Sequence, residues 1–135
     1  MSANGGGRCI LVVDDDPDIV TYLTTFFSDH GYRVLSASGG NEALALAREH
    51  QPDLICLDIS MPPPTGVRVY RELRGDPMLA SIPVILVTGV PAQFERFIST
   101  RRQVPPPDGY VGKPFDPEQL RAIVERILEA APPEA

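Results

Sequence analysis

The stretch that most constrains this chain is Pro52-Asp53-Leu54-Ile55-Cys56-Leu57-Asp58-Ile59-Ser60-Met61-Pro62. A strand with one wet face alternates apolar and polar residues. The unbroken run from Leu54 to Leu57 instead fits a strand covered on both faces, as in a parallel sheet between two helical layers. Prolines supply no ladder donors, so the strand has to end before Pro62-Pro63-Pro64. In open parallel sheets ligands gather just beyond the carboxyl ends of the strands, which makes Asp58 the first candidate for chemistry.

The remainder repeats that grammar. Arg8 to Val13 is a second apolar run, and it empties into Asp14-Asp15-Asp16-Pro17. Asp16 suits a helix cap and Pro17 a first turn, with Ile19, Val20, Leu23, Phe26 and Phe27 at helical spacing and His30-Gly31 as the stop. Residues 32–37 read as a strand and 41–50 as a helix. Thr65-Gly66 opens a short helix, predicted to turn Val67, Tyr70 and Leu73 inward and Arg68, Arg71 and Arg74 outward. Residues 83–87 form a fourth buried strand ending in Thr88-Gly89. Phe94, Phe97 and Ile98 fit one helical face, but Pro91 and Pro105-Pro106-Pro107 bracket them, so this fourth helix should be short or irregular. A brief fifth strand over residues 109–112 ends at Lys113-Pro114-Phe115. Asp116 then caps a last helix, with Gln119 placed to complete a capping box and a stripe of Leu120, Ile123, Val124, Ile127 and Leu128. Strand and helix alternate five times, which implies an α/β, doubly wound parallel sheet with helices on both faces.

A chain of 135 residues with 43% hydrophobic content holds one globular domain. We expect a disordered lead-in over 1–7, the domain over 8–131 and a short tail over 132–135. The net charge of -6 argues against nucleic acid, whose phosphates require an excess of Lys and Arg. No apolar stretch reaches the length of a membrane span or a signal-peptide core, so the expectation is a cytoplasmic protein with no membrane partner. Cys9 and Cys56 then stay reduced. If Asp14 and Asp58 end neighbouring parallel strands, the two thiols are not level with each other, and no disulfide is expected.

Four of the five strands end in a residue with chemical use: Asp14 and Asp15, then Asp58, then Thr88, then Lys113. Three carboxylates brought together either trap protons or hold a cation, and oxygen donors suit a hard ion such as Mg²⁺. Lys113 adds a compact positive charge and Thr88 a hydroxyl donor. A metal, an ammonium and a hydroxyl converging beside a carboxylate are what in-line phosphoryl transfer needs, with Asp58 as the nucleophile that forms an acyl phosphate.

With those residues in view, the chain resembles the response-regulator receiver domains of two-component signalling, of the stand-alone type. The resemblance covers about Arg8 to Ala131 and rests on Ile-Leu-Val-Val-Asp14-Asp15-Asp, Leu-Asp58-Ile-Ser-Met-Pro, Pro-Val-Ile-Leu-Val-Thr88-Gly and Gly-Tyr110-Val-Gly-Lys113-Pro-Phe. It implies a flavodoxin-like five-stranded sheet of order 2-1-3-4-5 with five helices. It also implies a signalling domain rather than an enzyme, in which Asp58 takes a phosphoryl group from a histidine kinase, a phosphotransfer protein or a small phosphodonor. Asp14, Asp15 and Asp58 would hold Mg²⁺ with the main-chain carbonyl of Ser60. Thr88 would turn toward the phosphoryl group and Tyr110 would swing in behind it as the switch, signalling to a downstream protein through the face of the fourth helix, fifth strand and fifth helix. A monomer or weak dimer is expected, and the Lys113-Pro114 bond is often cis in the family.

Several positions depart from the family pattern. Pro63-Pro64-Thr65 replaces a flexible loop, Gly89 stands where alanine is usual, and Val-Pro-Pro-Pro-Asp-Gly leads into the fifth strand on the expected partner face. Two alternatives stay open at the level of sequence. Asp14-x-Asp16 after a buried strand resembles the first motif of haloacid-dehalogenase-type phosphatases. The prolines around the site are also compatible with a phosphorylation-independent binding module.

Overall fold

A computed structural model describes residues 7–88, 108–112 and 116–130. Five strands, β1 (Cys9–Val13), β2 (Arg33–Ala37), β3 (Leu54–Leu57), β4 (Val84–Thr88) and β5 (Gly109–Gly112), form one sheet of order β2-β1-β3-β4-β5 in which every pairing is parallel. Four helices are described: α1 (Pro17–Asp29), α2 (Gly40–His50), α3 (Gly66–Gly75) and the C-terminal helix α4 (Pro117–Ala130). This is the doubly wound parallel sheet that the strand and helix alternation predicts, in the flavodoxin-like order that the family resemblance implies. The expected irregular helix around Phe94, Phe97 and Ile98 lies outside the described residues, so α4 is the helix that the sequence reading counts as the fifth.

The unbroken apolar runs find their reason in the packing. Ile10, Val12, Leu54 and Cys56 point into one core with Leu23 and Phe27 of α1 and Leu120, Val124 and Leu128 of α4. Their neighbours Leu11, Val13, Ile55 and Leu57 point into the other, with Ala43, Leu44 and Ala47 of α2 and Val69, Tyr70 and Leu73 of α3. Successive strand residues serve opposite faces, and both faces are dry. Each large side chain so buried contributes about 2 kcal/mol.

The helix ends follow the capping chemistry. Asp16 caps α1 by accepting from the Asp18 N–H at 2.9 Å, with Pro17 in the first turn. Thr65 caps α3 through the Arg68 N–H at 3.3 Å, and the Asp116 carboxylate accepts from the Glu118 N–H at 2.9 Å before α4. Gly31, with φ of 89°, lets the chain leave α1 in a left-handed turn. The face expected for α3 needs correction. Val69 is buried with Tyr70 and Leu73, Val67 is only half-buried, and the Arg74 side chain turns in rather than out, with 8% of its surface exposed. A last-turn arginine is long enough to fold its head back over the end of its own helix, whatever face its Cα occupies.

Candidate functional site

Parallel pairing aligns Val13 of β1 with Leu57 of β3, so the next residues, Asp14 and Asp58, emerge side by side at the carboxyl end of the sheet. The ladder continues around them. The Asp58 N–H donates to the Val13 carbonyl of β1 at 3.0 Å and the Asp14 N–H to the Ala37 carbonyl of β2 at 3.2 Å, which ties each aspartate to the neighbouring strand. Each carboxylate is then held by its own backbone. Asp14 Oδ1 accepts from the Asp16 N–H and Asp58 Oδ1 from the Ser60 N–H, each at 3.0 Å, the i to i+2 pattern of an Asx turn.

The resulting geometry gathers the three carboxylates singled out in the sequence. One oxygen from each of Asp14, Asp15 and Asp58 lies within 4.8 Å of the others. Asp14 and Asp58 are both 2% exposed, whereas Asp15 is open to solvent. Two unit charges at such a separation repel by about 3 kcal/mol at an effective dielectric of 20. A hard divalent cation would reverse the sign of that interaction, and a set made only of carboxylate oxygens is the donor chemistry that Mg²⁺ takes. The residues present fit the ion.

The other expected members fall as follows. Ser60 is exposed and its amide is bonded to the Asp58 carboxylate. Thr88 closes β4, while its side chain lies outside the described residues. Lys113 and its bond to Pro114 lie outside them as well. Tyr110 sits in β5 opposite Leu86 and packs, partly buried, against the core on the α2 and α3 side. Asp16 does not join the cluster, because its carboxylate caps α1; the phosphatase alternative therefore lacks its second acid here.

Sequence reasoning missed two glycines that shape the site. A Cβ on Gly66 would overlap the Asp58 carbonyl oxygen and the Ile59 Cα, so only glycine lets α3 start against the Asp58 backbone. A Cβ on Gly40 would lie 2.7 Å from the Pro64 Cγ, so α2 and the proline loop after Asp58 also close on a residue with no side chain. No local pattern marks either role, which lies in the room that the missing side chains leave. A cleft of about 370 Å³ opens beside the cluster rather than over Asp58, between the start of α1 and the turn after β2, with Asp15, Thr21, Ser38 and Glu42 among its walls.

Both thiols are free and buried. Burial pushes the Cys56 thiol up to about 12 and raises that of Cys9 as well, the nearby Arg33 opposing and Asp53 adding to the latter effect. Neither is a nucleophile at neutral pH. Among the described residues no helix is long and apolar enough to cross a membrane.

Comparison with known proteins gives this geometry a context. Residues 10–125 match the response regulator receiver domain family. Protein Rrf1 of Nitratidesulfovibrio vulgaris is 38% identical over 119 residues, covering 88% of this chain and 81% of that protein. The alkaline phosphatase synthesis transcriptional regulatory protein PhoP of Bacillus subtilis is 37% identical over 119 residues, again 88% of this chain, but the match spans only 48% of PhoP. The crystal structure of the Vibrio cholerae chemotaxis protein CheY4 superposes with a TM-score of 0.78 at 28% identity, covering 90% of this chain and 98% of that one.

Proposed function

Because the chain belongs to the response regulator receiver domain family, we propose that it is a phosphoacceptor signalling domain in which Asp58 receives the phosphoryl group. The observation that carries the assignment is the buried Asp58 carboxylate at the end of β3, within 4.8 Å of two further carboxylates. An Asp58 oxygen attacks phosphorus, the bond from phosphorus to the donor's nitrogen or oxygen breaks, and an acyl phosphate forms on the aspartate. The Ser60 N–H holds the carboxylate in orientation.

Asp14, Asp15, Asp58 and the Ser60 carbonyl would hold Mg²⁺, which when bound neutralises the charge on the transferring oxygens. Lys113 is the ammonium that pairs with the phosphoryl group and Thr88 the hydroxyl that turns to it. Tyr110 is the switching aromatic, and the surface around β5 and α4 is the output face for a downstream protein. The donor is a histidine kinase or a phosphotransfer protein in a cytoplasmic setting. The family match supports a receiver unit over 8–131. The chain is a substrate of its donor and a switch for its partner, not a turnover enzyme.

The test is intact-protein mass after incubation with a small phosphodonor and Mg²⁺. Wild type should gain a single phosphoryl adduct, and Asp58→Ala should gain none. An adduct that persists in Asp58→Ala, or its absence from a folded wild type, would overturn the assignment.

A further inference from the structure

At the opposite end of the sheet a second charged group is built with equal care. Arg74, in the last turn of α3, lays its guanidinium over the Tyr70 ring, 5.0 Å from the centroid, and Nε donates to the Tyr70 hydroxyl at 3.2 Å. Nη1 donates to the carbonyls of Ala80 and Ile82 at 3.1 and 2.8 Å. Nη2 reaches Asp108 Oδ2 at 3.0 Å, across 34 residues of sequence. That same Asp108 oxygen accepts from the Val84 N–H at 2.9 Å, and the Asp108 N–H donates to the Val84 carbonyl at 2.9 Å. One ion pair thus joins the end of α3 to the first residues of β4 and β5.

We propose that Arg74 is a positioning residue for the Tyr110 switch: anchored on α3, it grips Asp108 and so fixes the start of β5, the strand that carries Tyr110. The proposal rests on the reading of Tyr110 as the switching aromatic. Tyr110 follows Asp108 by two residues and packs against the same core that holds Tyr70, close enough for the two phenols to interact electrostatically. The other end of α3 begins at Gly66, whose Cα sits against the Asp58 backbone. A helix of 10 residues spans about 15 Å, so α3 runs as one rigid piece from the acceptor to the base of β5.

A ring that changes position gives a discrete signal only if its strand holds still, because packed elements switch between arrangements rather than deform by degrees. The forked guanidinium suits this task and an ammonium does not, since lysine keeps the charge but loses the fork and the stack on Tyr70. Asp108→Asn keeps an acceptor for the Val84 N–H while removing the charge that Arg74 grips.

The experiment compares wild type, Arg74→Lys and Asp108→Asn by NMR of ¹³C-labelled tyrosine rings, at rest and with beryllofluoride plus Mg²⁺ as the stand-in for the acyl phosphate. Phosphoryl uptake is followed in parallel by mass. Uptake in both variants should stay within about twofold of wild type. The resting Tyr110 resonance should move at least roughly a quarter of the way toward its activated position. Should Arg74→Lys fail to fold, Asp108→Asn decides alone. Tyr110 resonances that match wild type in both states would overturn the proposal and leave the switch reading intact. A wild-type Tyr110 that does not respond to beryllofluoride would remove the switch reading, and the proposal with it.

Discussion

At the carboxyl end of the sheet three carboxylates crowd within 4.8 Å of one another, whereas at the amino end a buried guanidinium meets Asp108 at 3.0 Å and three further oxygens besides. The first end holds like charges in place with backbone bonds from Asp16 and Ser60. The second satisfies its charge within the protein. Like charges are therefore concentrated at the end where, on the function proposed above, a cation and a phosphoryl group arrive, and opposite charges are paired at the other.

The contrast breaks most visibly if the compensated end is emptied. Arg74→Ala should cost about 2 kcal/mol, chiefly because the Ala80 and Ile82 carbonyls lose their donor, whereas Asp108 is 41% exposed and keeps the Val84 N–H. Urea denaturation with an unchanged m-value would report it. A loss below a few tenths of a kcal/mol would mean that the two ends are alike in carrying little stability.

The strained end should respond in the opposite sense. At a Mg²⁺ concentration ten times its dissociation constant, wild type should gain about 1.4 kcal/mol. In Asp14→Asn most of that gain should vanish, while the metal-free protein becomes more stable by about 1 kcal/mol because one like charge has gone. Thermal melts with and without the ion check both. A metal-free Asp14→Asn that is weaker than wild type would show that the Asp14 bond to the Asp16 amide outweighs the repulsion.

The last comparison reads the middle of the sheet, through a thiol buried in β3. The Cys56 thiol moves from an ordinary 9.0 up to about 12 on burial, so the unfolded chain releases its proton first as pH rises. Its contribution to stability is complete below about pH 9 and declines from there to about pH 12. Cys9, Tyr32 and Tyr70, all raised chiefly by burial, add to the same slope. Cys56→Ala should flatten it without altering the Mg²⁺ response.

The strands were legible because apolar runs without alternation have few places to go, their order was implied only by the family resemblance, and the caps at Asp16, Thr65 and Asp116 used local chemistry that a short window contains. The carboxylate cluster was legible for the same reason, since Asp14, Asp15 and Asp58 stand where buried strands stop. Arg74 was not. Helical period assigns a face to a Cα, but the head of a long side chain travels several ångströms farther, and its partner Asp108 is 34 residues away. Gly66 was equally silent, because what it does is leave room for the Asp58 backbone, and an absent atom has no pattern.

The register that sets Val13 beside Leu57 also says how this domain can change over time. The two buried aspartates are addressed by their height in the sheet, not by their distance along the chain. Everything from α1 through α2 is a detour that leaves one strand and returns beside it. Residues inserted at the turns near Gly31 or Gln51 lengthen the detour and leave the address unchanged. A single residue added inside β1 or β3 exchanges the two faces of that strand and moves its aspartate off the mark. Drift in length is thus permitted at the turns and forbidden in nine strand positions, the five of β1 and the four of β3.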